Sequence, residues 1–197
     1  MWHYGGYEGD GCEELLGTQK GKTALIFGNA ITAHSDWAAV PDRDNSIIFG
    51  VNDVGVYLPK IHHWVSLHPD KLEHWIALRK IDAFLWNNFN SHTTRPVTGL
   101  THVWKWLSPS FGLSGYAAMQ IAYLMGFDKI ILCGCPGDAT KRFFDFNGRR
   151  ECDGFDYQKE GNLEQLTKEM KRVPEFKAKV RSMSGFTKEF FGGIDNG

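Results

Sequence analysis

Three short segments carry residue types suited to holding a phosphate ester. Gly28-Asn29 stands where an apolar run, Thr23 to Gly28, turns towards a helix. Glycine there lets the backbone approach a phosphate, and free amides near a helix start attract an anion. A plain tight turn is the other account of the same pair. Asn52 follows a second apolar run, Ser46 to Gly50. Ser114-Gly115 opens a third segment, a helix start at which small residues permit close helix-to-sheet contact. Its serine hydroxyl and nearby amides suit a phosphate or a ribose, while a capping serine with a packing glycine explains the same residues structurally.

Two residues are candidates for proton transfer. His68 follows the apolar run His63 to Leu67, and an imidazole at a strand end can act as a general base or a ligand contact. Asp138 closes the loop after Lys129 to Gly134, where a carboxylate can act as a base, bind ribose hydroxyls or hold a metal. For Asp145, Asp153 and Asp156 a solvated loop charge is the simpler account. Arg142, Arg149 and Arg150 are available for charge developing on a phosphate.

Other patterns fall away on inspection. Gly17 to Thr23 looks like a phosphate-binding P-loop, but it has three residues between its glycines where the motif needs four, and it precedes its strand. His62, His63, His68 and His74 cluster without the H-E-x-x-H spacing and without a carboxylate that completes a known pattern, so no metal site is expected. A metal-dependent phosphohydrolase built on them is the reading that metal analysis would decide. Four cysteines with no pair of C-x-x-C motifs exclude a structural zinc site and a disulfide scaffold; Cys133 and Cys135 read as small hydrophobes in or beside a buried strand.

The elements that must position these residues alternate. Short apolar runs, at 23–28, 46–50 and 129–134, each ended by glycine, and at 63–67, read as buried strands. Residues 83–86, 102–106 and 178–183 give fainter strand patterns. Helices are expected over 35–40, from 68–70 to about residue 80, over 114–125, where Ala118, Ile121, Ala122 and Met125 repeat at helical spacing, and over 160–172. Helix, glycine, then apolar strand across Ser114 to Gly134 is half of a βαβ unit. Such alternation implies an α/β, Rossmann-like fold: a mostly parallel sheet with helices on both faces, whose ligands bind beyond the carboxyl ends of the strands.

A length of 197 residues suits one domain, expected over 22–197 behind a loose, glycine-rich N-terminal arm over 1–21. The net charge of -1 argues against an overall electrostatic grip on nucleic acid. Half of the lysines and arginines, 11 of 22, fall between Lys141 and Arg181, but eight acidic residues share that segment and make a solvated surface the better account. No run reaches the ~18 apolar residues of a membrane span, and the N-terminus reads without an apolar signal core, so a cytoplasmic protein is expected. Aromatic residues near the N-terminus would suit a subunit contact in a homo-oligomer.

The series Ala24-Leu25-Ile26-Phe27-Gly28-Asn29, Gly50-Val51-Asn52, Leu113-Ser114-Gly115-Tyr116-Ala117-Ala118, Met125-Gly126-Phe127 and Ile130-Ile131-Leu132-Cys133-Gly134 resembles the bacterial sialyltransferases that use CMP-sialic acid. It also resembles their relatives similar to the archaeal 6-hydroxymethylpterin diphosphokinase. The likeness covers about residues 22 to 140, and the Ser-Gly helix with its following strand is the most specific part. It implies a Rossmann-like nucleotide fold in which Gly28, Asn29, Asn52, Ser114 and Gly115 line the nucleotide site. It also implies catalysis without a metal, by a histidine base and tyrosines that help the phosphate leave. The chain departs from the family in three places. The family loop Gly-Asn-Gly-Pro-Ser is here Gly28-Asn29-Ala30-Ile31-Thr32, the family aspartate falls on Pro136, and no histidine follows His102.

These readings converge on a nucleotide-dependent transferase, of glycosyltransferase type, with a nucleotide or nucleotide sugar as ligand and Asp138 or His68 as base. The alternatives are a module that binds or sequesters a nucleotide-derived small molecule, and a diphosphokinase-like enzyme.

Overall fold

The computed structural model describes residues 2–4, 7–9, 12–79, 88–91, 102–104, 114–137 and 159–194. Its centre is set by three strands with almost no polar residues: β3 (Thr23–Phe27), β4 (Ile47–Val51) and β8 (Lys129–Cys133). In each, every residue after the first is buried, as expected for strands covered on both faces. Two short strands before them, β1 (Trp2–Tyr4) and β2 (Tyr7–Gly9), form a separate antiparallel hairpin. The remaining strands are β5 (His63–Val65), β6 (Asn88–Ser91), β7 (His102–Val103) and β9 (Val180–Ser182). They join the central three in a seven-stranded sheet of order β7-β6-β5-β4-β3-β8-β9, with every neighbouring pair parallel.

Side chains alternate across this sheet and divide the core in two. Ala24, Ile26, Phe49, Val51, Ile130 and Leu132 face one side, against α3 (Ser114–Leu124), Phe176 of α5 (Glu175–Lys179), and Phe186 and Phe191 of α6 (Gly185–Phe191). Leu25, Phe27, Ile48, Trp64, Ile131 and Cys133 face the other. There they meet Trp37 of α1 (Ala33–Ala39), Val40, and Trp75 and Ile76 of α2 (Pro69–Leu78). One further helix, α4 (Lys159–Arg172), adds Leu166 to the first side. The fold is therefore Rossmann-like α/β, with helices on both faces. Among these helices α3 is the most deeply set: nine of its 11 residues are buried, because it packs on β3, β4, β5 and β8 together.

The chain leaves β3 through β4 and β5 in one direction, then returns to place β8 on the opposite edge of β3. The crevice expected at such a reversal lies over the ends of β3 and β8. Residues 12–21, read from sequence as part of a loose arm, are tied to the far end of α3. Gly17 N–H donates to the Leu124 carbonyl at 3.1 Å and Gln19 N–H to the Met125 carbonyl at 2.9 Å. The strand expected at 83–86 lies outside the described residues. No helix among the described residues is long and apolar enough to cross a membrane.

Candidate functional site

The loops that follow β3, β4 and β5 meet the first residue of α3 through a string of hydrogen bonds. After β3, Asn29 donates from Nδ2 to Asp53 Oδ1 at 2.9 Å. Beside Asp53, Asn52 stands at φ +53, the left-handed region that asparagine tolerates better than most residues. That conformation starts the tight turn Asn52–Val56, and Asn52 offers its carbonyl to the indole N–H of Trp64. Its Oδ1 accepts from Ser66 Oγ at 2.9 Å, while its Nδ2 has no partner among the described residues.

Ser66, fully buried, takes the His68 N–H on the same oxygen at 2.9 Å. Between them, Leu67 N–H donates to Ser114 Oγ at 3.2 Å, and Ser114 is itself buried. Asn29, Asn52 and Ser114, chosen from three distant segments, are thus joined within one rim. Asp53 and Ser66 link them and were not singled out from the sequence. A serine two residues before a helix-capping histidine was the available signal for Ser66.

Both expected glycines are in this region, in different roles. A Cβ on Gly28 would meet the Gly134 carbonyl oxygen, and Cys135 Sγ at 2.6 Å. The Gly28 N–H is used by the Cys133 carbonyl at 2.9 Å, and the Ala30 N–H by the Gly134 carbonyl at 3.2 Å. The first loop therefore spends its small residue and these two amides on the neighbouring turn. Gly115 is different, since among the described residues a Cβ there would touch only Cys135 Sγ, at an ordinary 3.5 Å. Cys135 consequently forms the floor between Gly28 and Gly115. Desolvation in that floor, with Asp36 nearby, pushes its thiol up to about 12, although a backbone hydrogen bond from Gly28 pulls the other way.

His68 is exposed at the N-cap of α2, its backbone held by Ser66. The other clustered histidines are dispersed in role. His62 Nδ1 accepts the Ile48 N–H at 2.9 Å, and burial followed by the charge of Lys60 lowers its pKa. His63 is buried and stacked on Phe49 with ring centroids 4.5 Å apart. His74 is exposed on α2. Among the described residues no three His, Cys, Asp or Glu side chains are grouped as a metal ion would need. Asp138, Arg142, Arg149 and Arg150 lie outside the described residues.

No family model matches the chain, and no curated protein matches it. Among solved structures it is similar to the sialyltransferase CstII from Campylobacter jejuni, determined in complex with a substrate analogue, cytidine-5'-monophosphate. The TM-score is 0.58 at 14% sequence identity, over 90% of this chain and 87% of that one. Nothing in that likeness bears on the pterin diphosphokinases. What it supports, over nearly the whole of both chains, is a sialyltransferase-like fold.

Proposed function

We propose that this chain is a nucleotide-dependent transferase of glycosyltransferase type, which takes a nucleotide-activated donor and passes its glycosyl group to an acceptor hydroxyl. The observation that carries the reading is the hydrogen-bonded rim from Asn29 through Asn52 and Ser66 to Ser114. It lies on a fold shared with a transferase that holds a cytidine nucleotide. In this reading Asn52 offers its amide nitrogen, Ser114 its hydroxyl proton, and Asn29 its side-chain oxygen to the ligand. The phosphate sits at the start of α3, a helix of 11 residues whose first turn presents amides and a partial positive charge. Gly115 leaves room for that approach, whereas the first loop has committed two of its amides to the β8 turn.

Transfer then needs a base and a stabilised leaving group. His68 or Asp138 accepts the proton of the acceptor hydroxyl as its oxygen forms the new bond to the anomeric carbon. The bond from that carbon to the phosphate oxygen breaks, and the nucleotide departs with the electron pair. Arg142, Arg149 and Arg150 would balance the charge that develops there. No metal is required by this scheme.

A thermal-shift screen with CMP, UDP, GDP, ATP and sugar nucleotides tests the binding half, because a ligand selective for the native state raises the melting temperature by mass action. One nucleotide class should stand out, and its effect should be lost in Ser114→Ala. A flat response across the panel would overturn the reading. Turnover assays with Asp138→Asn and His68→Ala test the chemistry, and full activity in both would remove the assigned base. A second reading, a binding module without catalysis, draws on the committed amides of the first loop and on the absence of any histidine after His102. Tight binding with no product over hours would favour it.

A further inference from the structure

We infer that Asp36 is a positioning residue of this site: its buried carboxylate fixes the turn after β8 against the first loop and against α6, and so sets the floor on which the ligand rests. The inference builds on the nucleotide-binding reading above. Asp36 lies within α1, only 5% exposed. A carboxylate removed from water is costly unless its oxygens find donors. Here Oδ2 accepts from Gly134 N–H at 2.7 Å and from Ser184 Oγ at 2.8 Å. Ser184 Oγ also lies 3.0 Å from Thr32 Oγ1, at the end of the first loop. One oxygen thus joins α1, the β8 turn and the entry to α6.

The turn is held on its other sides as well. Gly134 sits at φ +60, and its carbonyl accepts the Ala30 N–H. The Cys135 and Pro136 carbonyls accept from Thr187 Oγ1 at 2.8 Å and Thr187 N–H at 2.9 Å. Of these bonds, the two to Asp36 alone bear a side-chain charge from the first-loop side. Their consequence is local: they place Cys135 Sγ beneath Gly28 and Gly115. They also fix the segment whose next residue in the chain is Asp138.

Asp36→Ala removes both bonds, whereas Asp36→Asn, with its amide oxygen in the place of Oδ2, keeps a neutral acceptor for both the Gly134 amide and the Ser184 hydroxyl. Two measurements on the full chain decide the matter: amide hydrogen exchange at Gly134, Cys135 and Gly137 without ligand, and CMP affinity by calorimetry. In Asp36→Ala, exchange at Gly134 should quicken and CMP binding weaken, each by about tenfold or more, as loss of a charge-assisted hydrogen bond implies. Asp36→Asn, which keeps the acceptor without the charge, should restore a large part of both. Unchanged protection of the turn overturns the inference, as does a lowered melting temperature with CMP affinity intact. A deficit in Asp36→Asn as large as in Asp36→Ala overturns it too. Should the unaltered protein bind no CMP, the affinity measurement moves to whichever nucleotide of the panel it does bind; should it bind none, the functional reading fails separately, and the exchange result alone decides whether Asp36 holds the turn. Should Asp36→Ala not fold, Ser184→Ala takes its place; it keeps the Gly134 bond and should still quicken exchange across the turn several-fold, by the same argument, and no change there overturns the inference.

Discussion

Gly28 and Gly134 cross with their backbones in contact, and each occupies the space a side chain on the other would need. A Cβ on Gly134 would lie 2.6 Å from the Gly28 carbonyl oxygen and 2.7 Å from Ala33 Cβ, while a Cβ on Gly28 would strike the Gly134 carbonyl. The crossing joins the loops on the two sides of the reversal in strand order.

Alanine at either position should therefore destabilise the protein. Overpacking of this kind costs about 1–3 kcal/mol, which is the expectation for Gly28→Ala. Gly134→Ala should lose about 1–2 kcal/mol more, since its left-handed backbone also penalises a Cβ. Urea denaturation midpoints check the order of the two variants.

Asn52 separates strain from recognition. Asn52→Ala should lose about 1–2 kcal/mol, because alanine pays for the left-handed conformation and abandons the bond from Ser66. Asn52→Gly should recover most of that stability, since glycine adopts the same φ freely. It should not recover nucleotide binding, because the side-chain amide is gone. Melting temperature and a CMP titration, measured on both variants, distinguish the two effects.

His62 makes stability depend on pH in a definite direction. Burial first, and Lys60 second, hold its folded pKa below the ordinary 6.5, and its Nδ1 accepts the Ile48 N–H only when unprotonated. The unfolded chain therefore binds the proton more readily. The contribution of His62 is complete above pH 6.5 and is lost as the pH falls through its lower folded value. Denaturation midpoints from pH 7.5 down to about 5 should fall more steeply for the unaltered protein than for His62→Gln.

Cys135 should be inert while the protein is folded. A thiol whose pKa is pushed up to about 12 has almost no thiolate at neutral pH, and thiolate is the reactive form. Iodoacetamide at pH 7.5, followed by mass spectrometry, should label Cys135 only after denaturant is added. Rapid labelling of the native protein would contradict the described environment.

What was legible in the sequence follows from how the elements earn their burial. Strands β3, β4 and β8 are covered on both faces, so their apolar runs mark them directly. Asn88–Ser91 is strand by virtue of its pairing with β5, with Trp64 and Phe89 in register along the backbone, and its own letters, Asn-Phe-Asn-Ser, have no apolar pattern to reveal it. Residues 178–183 were expected as a single strand, but Ala178 and Lys179 complete α5 and β9 begins at Val180. The short helix α6 was missed because its phenylalanines are packed by distant partners. The rim residues Asn29, Asn52 and Ser114 could be chosen because each follows a recognisable strand or opens a recognisable helix. Asp36 could not, since an aspartate on a short helix reads as solvated. Its partners Gly134 and Ser184 lie 98 and 148 residues further along the chain.

The position of β3 at the middle of the sheet has a consequence for how the molecule is made. Synthesis delivers β4 and β5 soon after β3, so that edge is satisfied early, while the other edge waits for Lys129–Cys133 to emerge. A nascent chain halted before that point displays an apolar strand with a row of unmet amides and carbonyls, the kind of edge that recruits a stray partner. Closure by β8 is a non-local, slow event. The wall of the crevice that carries Gly134 and Cys135 is consequently absent from every shorter chain, and any activity housed there begins only after β8 has docked.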